Sequence, residues 1–435
     1  MRPDSKITAV SAPEVSPIHP RAMLRAFGAG LPANFWRLWT STVSANLADG
    51  IVGIGIPLIA VGLTRSPAEI AGVTVAARVP NIAVGLIAGG LADRLDRRWT
   101  MLSVQVVRFI VIATLAMLAL AGLLSMPVLY AAAFVLGIGE AFFDTNAQAI
   151  IPALVGRDRL VTANGRLFAA ETMMNAFVGP PLGGLLVALS VPLALGAGAV
   201  GYVLAAAGLL LIAGGFRSER TGPARRLHVE IAEGIAFLAR HPLLRTLSTM
   251  VAMGRLGSAG FFALLALYAV APGPMGLSEP QYGLLFVTFG VGSLIGSFVA
   301  TRAVMLLGRP NVLAGAQLLF GLVLVVPVLT TNALVIGAGF FVGSISVMAW
   351  NITNVSLRQS LLPSNLMGRV HATHRTLANF AEVIGAITAG LIAEAFGLRA
   401  AFAVGAAIVI ISVAGRLVVT EERIRGAEAD AGAAR

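Results

Sequence analysis

Gly89-Gly90-Leu91-Ala92-Asp93-Arg94-Leu95-Asp96-Arg97-Arg98 places five charges in six residues, directly after a long apolar run and directly before another. A cluster this polar is costly in hydrocarbon. The stretch is therefore a loop in water between two membrane-crossing segments, and its arginines say which side of the membrane it faces.

The rest of the 435-residue chain supports that reading. Hydrophobic residues make up 57% and charged residues only 12%, whereas a soluble domain carries about 25% charge. A spanning helix needs about 20 mostly apolar residues. Twelve segments meet that length: 36–63, 68–92, 99–122, 126–150, 163–188, 192–215, 244–271, 279–301, 310–330, 334–357, 371–395 and 399–418. Alternating short strands, the mark of a transmembrane barrel, are missing from the pattern. The expected class is an all-α, polytopic membrane protein of about twelve transmembrane helices. With no cysteine in the chain, disulfides, thiol catalysis and thiolate metal sites are excluded. Residues 1–33 lack the apolar core of a cleavable signal peptide.

The net charge of +11 is distributed as topology rather than as a nucleic-acid footprint. Arginines cluster in alternate loops: Arg94, Arg97 and Arg98; Arg157 and Arg159; Arg217, Arg220, Arg225, Arg226, Arg240 and Arg245; Arg309; Arg369; Arg423 and Arg425. The opposite loops carry little beyond Arg65 and Arg399. The positive-inside rule puts both termini and the Arg-rich loops in the cytoplasm, where they also meet anionic headgroups. Membrane lipids are thus expected partners, and nucleic acid is not.

The longest internal connection divides the chain into six spans and six. Its stretch 227–235 alternates charge and apolar residues in the manner of a helix lying on the inner membrane surface. The expected layout is a 1–33 tail, a 34–215 bundle, a 216–242 linker, a 243–418 bundle and a 419–435 tail. The two bundles echo each other: Gln148 and Gln359, Pro152 and Pro363, Glu171 and Glu382, and Gly179 and Gly390 are each 211 positions apart. Gln, Pro and Glu are scarce inside spans, so the repeat reads as a duplicated six-helix unit. Duplicated halves around a midplane site are the architecture of many secondary transporters.

Three motifs carry a family resemblance. The segment Gly89-x-x-x-Asp93-Arg94-x-Asp96-Arg97-Arg98 resembles the loop signature of the major facilitator superfamily, with Asp96 where Gly is usual. The variant Asp-Arg-x-Asp-Arg-Arg is similar to the branch of enterobactin-type and macrolide-type exporters. In the fifth span, Gly179-Pro180-Pro181-Leu182-Gly183-Gly184 looks like the family's exporter motif, although Asn175 replaces its usual leading small residue. Glycines permit close helix approach and prolines bend the helix. The resemblance extends to the topology of nearly the whole chain. It departs in the fourth span, where Gly137-Ile138-Gly139-Glu140 lacks the family's arginine; Arg108 stands nearby in the third. The second half's counterpart of the loop, Gly292-x-x-x-Gly296 with Thr301-Arg302 and Gly308-Arg309, is degenerate, since Thr301 holds the place of the acid.

The resemblance implies a cytoplasmic gate. Asp93 would sit at the N-terminal end of a helix in the other half, where an anion is favoured. Arg94, Arg97 and Arg98 would pair with acids at neighbouring helix ends, Asp144 and Glu171 among them. Simple topology anchoring is the alternative. It also implies that the first, fourth, seventh and tenth helices line the cavity. Cavity residues would then be Asn46, Asp49, Glu140, Arg255, Trp350, Asn351 and Asn354, a set suited to an amphipathic organic molecule.

Ionisable groups within spans are costly and are usually functional or paired. They are Asp49, Arg78, Arg108, Glu140, Asp144, Glu171, Arg255 and Glu382. A carboxyl in apolar surroundings titrates closer to neutrality than one in water, which makes Asp49 and Glu140 the candidate proton carriers. The alternative is that Asp49–Arg78 and Glu140–Arg108 are static pairs joining helices; at about 1.5 Å per residue, the depths of Asp49 and Arg78 are compatible. His371-x-x-His374 lacks a third metal ligand, so no metal is expected, and no cofactor. No phosphate-binding Gly-rich loop with Lys-Ser/Thr is present, which leaves an ion gradient as the energy source.

The expected function is proton-antiport export of small organic molecules (drug, antibiotic or siderophore-like) by a monomer in a bacterial inner membrane. An importer or facilitator on the same fold is the alternative. A polytopic membrane enzyme or receptor is a third reading, and it lacks the catalytic cluster it needs.

Overall fold

The computed structural model describes residues 30–92, 96–216, 235–362 and 367–433; the side chains of 83–92, 144, 148, 157, 367–369, 371–372 and 431–433 lie outside that description. Among the described residues the chain is helical throughout, apart from one isolated bridge between Val270 and Leu277.

In chain order the helices are α1 (Ala33–Leu63), α2 (Pro67–Ala92), α3 (Arg97–Leu120), α4 (Met126–Val155), α5 (Leu160–Leu189), α6 (Val191–Leu210), α7 (Pro242–Ala269), α8 (Glu279–Leu307), α9 (Arg309–Leu329), α10 (Ala333–Leu361), α11 (Met367–Phe396), α12 (Leu398–Leu417) and α13 (Glu421–Ala433). Eleven of the first twelve are long and apolar enough to cross a membrane on their described residues, and α2 supplies another 26 residues between two of them. At 1.5 Å per residue, the 31 residues of α1 run about 46 Å, longer than a hydrocarbon core of about 30 Å, so α1 must tilt or extend into the headgroups. An even number of crossings returns the chain to its starting side. One end of the molecule, the terminal end, therefore carries the first and last described residues; the other, the far end, carries the α1–α2, α3–α4, α5–α6, α7–α8, α9–α10 and α11–α12 loops.

The helices form two six-helix bundles, α1–α6 and α7–α12. Between the bundles α2 packs against α11 and α5 against α8. These are exchanged positions in the repeat, as a pseudo-twofold axis requires. The apolar core follows the same plan. At the far end a single cluster draws on both bundles, with Ile54, Ile59 and Leu115 from the first and Tyr268, Tyr282 and Phe402 from the second. At the terminal end the core is split. One cluster around Phe35, Met101, Ile150 and Leu209 belongs to the first bundle; another around Leu244, Leu313, Trp350 and Leu357 belongs to the second.

Polar contacts reinforce the far-end closure. The Glu394 carboxylate of α11 accepts hydrogen bonds from the Ser66 hydroxyl at 2.8 Å and the Ala68 amide at 3.3 Å. An anion is thus seated on the unsatisfied N–H groups that open α2, where the helix dipole favours it. The exporter-type motif makes close backbone approaches on both sides. A Cβ on Gly179 would lie 2.6 Å from the Gly50 Cα of α1, and one on Gly283 of α8 would lie 3.0 Å from the Pro181 Cα. Pro180 and Pro181 lack N–H groups, and a proline ring clashes with the carbonyl four residues back. The helix answers with a π-helical stretch at Met173–Val178, in which the Gly179 amide reaches back to the Met174 carbonyl. The bend expected at the prolines takes this form.

The segment expected as a C-terminal tail is the helix α13, docked on the second bundle. Arg309 donates to Glu428 at 2.6 Å and to Glu421 at 3.2 Å; Ser360 donates to Glu428 at 2.8 Å; Ile424 is fully buried beneath them. The sequence window 421–433 is too polar on average to signal a packed helix, and Ile424 is its buried anchor. The Glu428 carboxyl is held below the usual glutamate range, chiefly by the Arg309 hydrogen bonds, with Ser360 adding and partial burial opposing. A carboxyl lowered on folding stabilises the docked form above its free value of about 4.3, and that contribution disappears as pH falls through the lowered value. Hydrogen exchange of 421–433, corrected for its intrinsic pH dependence, is expected to accelerate relative to α12 as pH drops below about 4.3. Glu428→Gln should show the faster exchange at neutral pH already. Exchange that keeps the same protection through this range would rule out the Arg309–Glu428 tie as the fastening.

Candidate functional site: a charged cavity within the first bundle

Of the eight ionisable groups expected inside the spans, all but Asp144 have described side chains, and the packing decides which of them meet. Asp49 on α1 faces α6 and α3. Arg108 donates to both carboxylate oxygens of Asp49 at 3.3 Å, and the Tyr202 hydroxyl donates to Oδ1 at 2.7 Å. Arg108 itself is buried, its guanidinium 5.6 Å from the ring centres of Phe143 and of Tyr202. Arg78 on α2 faces α4 and α11: it reaches Glu140 at 3.3 Å and Glu382 at 3.0 Å. Glu382 in turn receives Arg255 of α7 at 3.4 Å. A charge chain Glu140–Arg78–Glu382–Arg255 therefore crosses from one bundle to the other.

These pairs correct the expected partners. Asp49 binds Arg108 rather than Arg78, and Glu140 binds Arg78 rather than Arg108. Position along a helix gives depth, and all four groups share it. Which way each helix turns is set by its neighbours: α1 and α3 both pack on α6, while α2 packs on α4 and α11.

Around these groups lies a cavity of about 720 Å³. Its wall on α1 runs from Leu38 to Pro57 and includes Asn46 and Asp49; α4 contributes Glu140 and Phe143, and α5 contributes Asn164, Phe168, Glu171 and Asn175. Asn175, where the resembled motif has a small residue, donates to the Asn46 Oδ1 at 2.6 Å. That contact crosses α1 and α5 on the cavity wall and gives the departure a physical use.

Of the expected cavity residues, Asn46, Asp49 and Glu140 line this space. Arg255 instead binds Glu382, and Trp350 and Asn354 are buried in the second bundle at exposures of 8% and 2%. Asn351, Trp350, Asn354 and Arg255 are absent from this cavity's wall. Glu171, expected at the gate, points into the cavity, as do Phe168 and Asn175 from the same helix. Tyr202 escapes a reading restricted to charge; a tyrosine alone in a Gly- and Ala-rich span is the available signal.

At the expected gate, Gly89 lies at the end of α2, while Asp93, Arg94 and the Asp144 side chain lie outside the described residues. Arg97 and Arg98 bind backbone carbonyls rather than acids. Arg97 donates to the Ala149 carbonyl at 2.8 Å, and Arg98 donates to those of Leu209 and Leu210 at 2.9 and 2.7 Å. Leu209 and Leu210 close α6; the last carbonyls of a helix carry its negative pole, so arginine satisfies them directly, whereas Ala149 lies within α4. Asp96 caps α3, accepting from the Arg98 and Trp99 amides and also from the Phe216 amide at 2.8 Å. Arg309, 211 positions after Arg98, fastens α13 in the second bundle. The repeat keeps an arginine at the start of the third helix of each half: Arg98 holds the end of α6, and Arg309 holds the helix that follows α12.

Two bundles of six helices that share a core at one end and have separate cores at the other, with an ionised cavity inside the first, form a transporter architecture, and comparison with known proteins agrees. Residues 30–434 match the family model described as transmembrane secretion effector. The chain belongs to the major facilitator superfamily. It is 26% identical over 382 residues to the multidrug efflux pump Tap of Mycolicibacterium fortuitum, covering 83% of this chain and 90% of that one. It is 23% identical over 389 residues to the MFS-type transporter YfiS of Bacillus subtilis, covering 86% and 90%. Among solved structures it resembles the nucleoside transporter NupG, with a TM-score of 0.70 at 12% identity over 89% of this chain and 99% of that one. It also resembles a bacterial homologue of the human lysosomal transporter Spinster in an inward-facing, unoccupied conformation, with a TM-score of 0.66 at 15% identity over 92% and 98%. As a member of this superfamily the protein is a multi-pass membrane transporter, and its fold is the major facilitator fold.

Proposed function

We propose that the protein exports small amphipathic organic molecules across a bacterial cytoplasmic membrane in exchange for protons. The observation that carries the reading is the shared core at the far end set against the split core at the terminal end, with the ionised cavity of the first bundle beside the junction. The Arg-rich loops support a cytoplasmic terminal end, and on this reading the cavity faces the cytoplasm. A cytoplasm-facing cavity is the loading state of an exporter. The efflux pump among the relatives and the Gly-Pro-Pro-x-Gly-Gly contacts of α5 support the direction of transport.

Alternating access requires the far-end seal to open and the terminal ends to meet. Asp49 is the proton carrier in this scheme. It lies on the cavity wall, bound by one arginine and one phenol. A proton arriving on Asp49 would release Arg108, and a proton leaving would restore the pair. Glu140 is the second candidate, bound to Arg78 at the junction of the bundles. Arg97, Arg98 and Asp96 stiffen the terminal end of the first bundle as a body that pivots.

The test is transport in inverted vesicles, where an imposed pH gradient should drive accumulation of an amphipathic dye. Collapse of the gradient with a protonophore should reduce accumulation to the level of vesicles lacking the protein. Accumulation that persists without the gradient would exclude proton antiport and favour a facilitator.

A further inference from the structure

Resting on the export reading, we infer that the substrate class is cationic, and that Glu171 is the carboxylate that recognises the positive charge. Among the described residues, four acids lie in or beside the cavity: Asp49, Glu140, Glu171 and Glu382. Three arginines accompany them. Asp49 is taken by Arg108, Glu140 and Glu382 share Arg78, and Glu382 also holds Arg255. Glu171 makes no hydrogen bond or ion pair with a described residue, and it opens onto the cavity. The described site therefore carries one negative charge more than its arginines answer, and that charge sits at Glu171. The nearest arginine along α5, Arg166, is turned away into the terminal-end core, 5.2 Å from the Trp36 ring centre.

The surroundings suit an organic cation. Phe168 lies one turn before Glu171 and Asn175 one turn after, all on the cavity wall, as residues three and four apart on a helix should. An aromatic face attracts a cation that a carboxylate neutralises. The alternating cycle gives the excess charge a purpose. While the cavity is open, water solvates Glu171. When the terminal ends close, a lone carboxylate is stripped of that water, which is strongly unfavourable. A bound cation removes the penalty, so the closed form is favoured for the loaded transporter over the empty one.

The experiment measures binding rather than transport, so it can fail independently of the antiport reading. Tetraphenylphosphonium, a permanent cation, and triphenylphosphine oxide, a neutral compound of related shape, are titrated into the purified full chain in nanodiscs by calorimetry. Wild type should bind the cation at least tenfold more tightly than the neutral compound. Glu171→Gln should weaken cation binding at least tenfold and leave the neutral compound unchanged, and Glu171→Asp should restore most of the loss. A thermal melt of each variant confirms folding. Wild type that binds the two probes alike, or fails to bind the cation, would overturn the inference, as would Glu171→Gln with wild-type affinity for the cation. Normal cation binding without gradient-driven efflux would count against proton antiport alone.

Discussion

Asp49→Asn is expected to remove pH-gradient-driven efflux while leaving a folded protein in the membrane. Asparagine has nearly the same shape and can still accept from Tyr202 and Arg108, but it carries no titrating proton. Breaking a buried ion pair by deleting one partner typically costs about 3–5 kcal/mol. The loss here should lie below that range, because the Asp49 side chain is 35% exposed to the cavity and the amide preserves hydrogen bonds. The melting temperature should fall by only a few degrees. Efflux in inverted vesicles should drop at least a hundredfold and no longer respond to the gradient. Asp49→Glu, which keeps the titrating group, should retain a measurable fraction. Efflux by Asp49→Asn with its usual pH dependence would transfer the role to Glu140, where the same assay on Glu140→Gln decides.

Much of this site is legible in the amino-acid order. The apolar runs imply twelve helices because a span must satisfy every backbone group internally, which forces each run into one long helix. The 211-residue offset exposes the duplication, while the exchanged pairs α2–α11 and α5–α8 come from the packing. The intramembrane charges are plain from the residues themselves. Rotation about the helix axis is not legible. Asp49 and Arg78 are compatible in depth, yet they face different neighbours, and a rotation of about 100° per residue separates a pair from a non-pair. Glu171 shows the same limit. Depth places it with the loop arginines; its azimuth turns it into the cavity.

Two further misreadings share one cause. Loop arginines invite pairing with acids because charge is visible in a sequence, whereas the carbonyls of Ala149, Leu209 and Leu210 are not. Backbone acceptors, at the end of α6 and along α4 alike, carry no sequence signature, and arginine seeks them as readily as carboxylates. The helix α13 escapes notice for a related reason: it is held by Arg309 and a buried isoleucine rather than by an amphipathic stripe.

The exporter-type motif separates two roles that the sequence fuses, and a pair of substitutions should tell them apart. Gly179 and Gly184 are five residues apart on α5 but face different partners. Gly179 meets Gly50 of α1 within the first bundle, where a leucine side chain has only backbone to displace. Gly184 meets Glu279 and Pro280 of α8 in the other bundle; a Cβ there would stand 3.2 Å from the Pro280 Cα. Overpacking a tight contact costs about 1–3 kcal/mol. For Gly179→Leu that cost has no escape within the folded bundle, so it should appear as lower thermal stability and poor membrane yield. For Gly184→Leu the bundles can part at the far end, so the cost falls on one arrangement of a folded protein. A penalty of about 1–3 kcal/mol shifts that balance roughly 5- to 150-fold. The lack of native cysteine makes the readout clean: Ser66→Cys reports the far end without background. In Gly184→Leu, Ser66→Cys should react at least fivefold faster with a membrane-impermeant maleimide, with thermal stability near wild type and transport sharply slowed. Equal labelling in both backgrounds would mean that the α5–α8 contact does not hold the far end shut, and the seal would then rest on Glu394 and the N-terminus of α2.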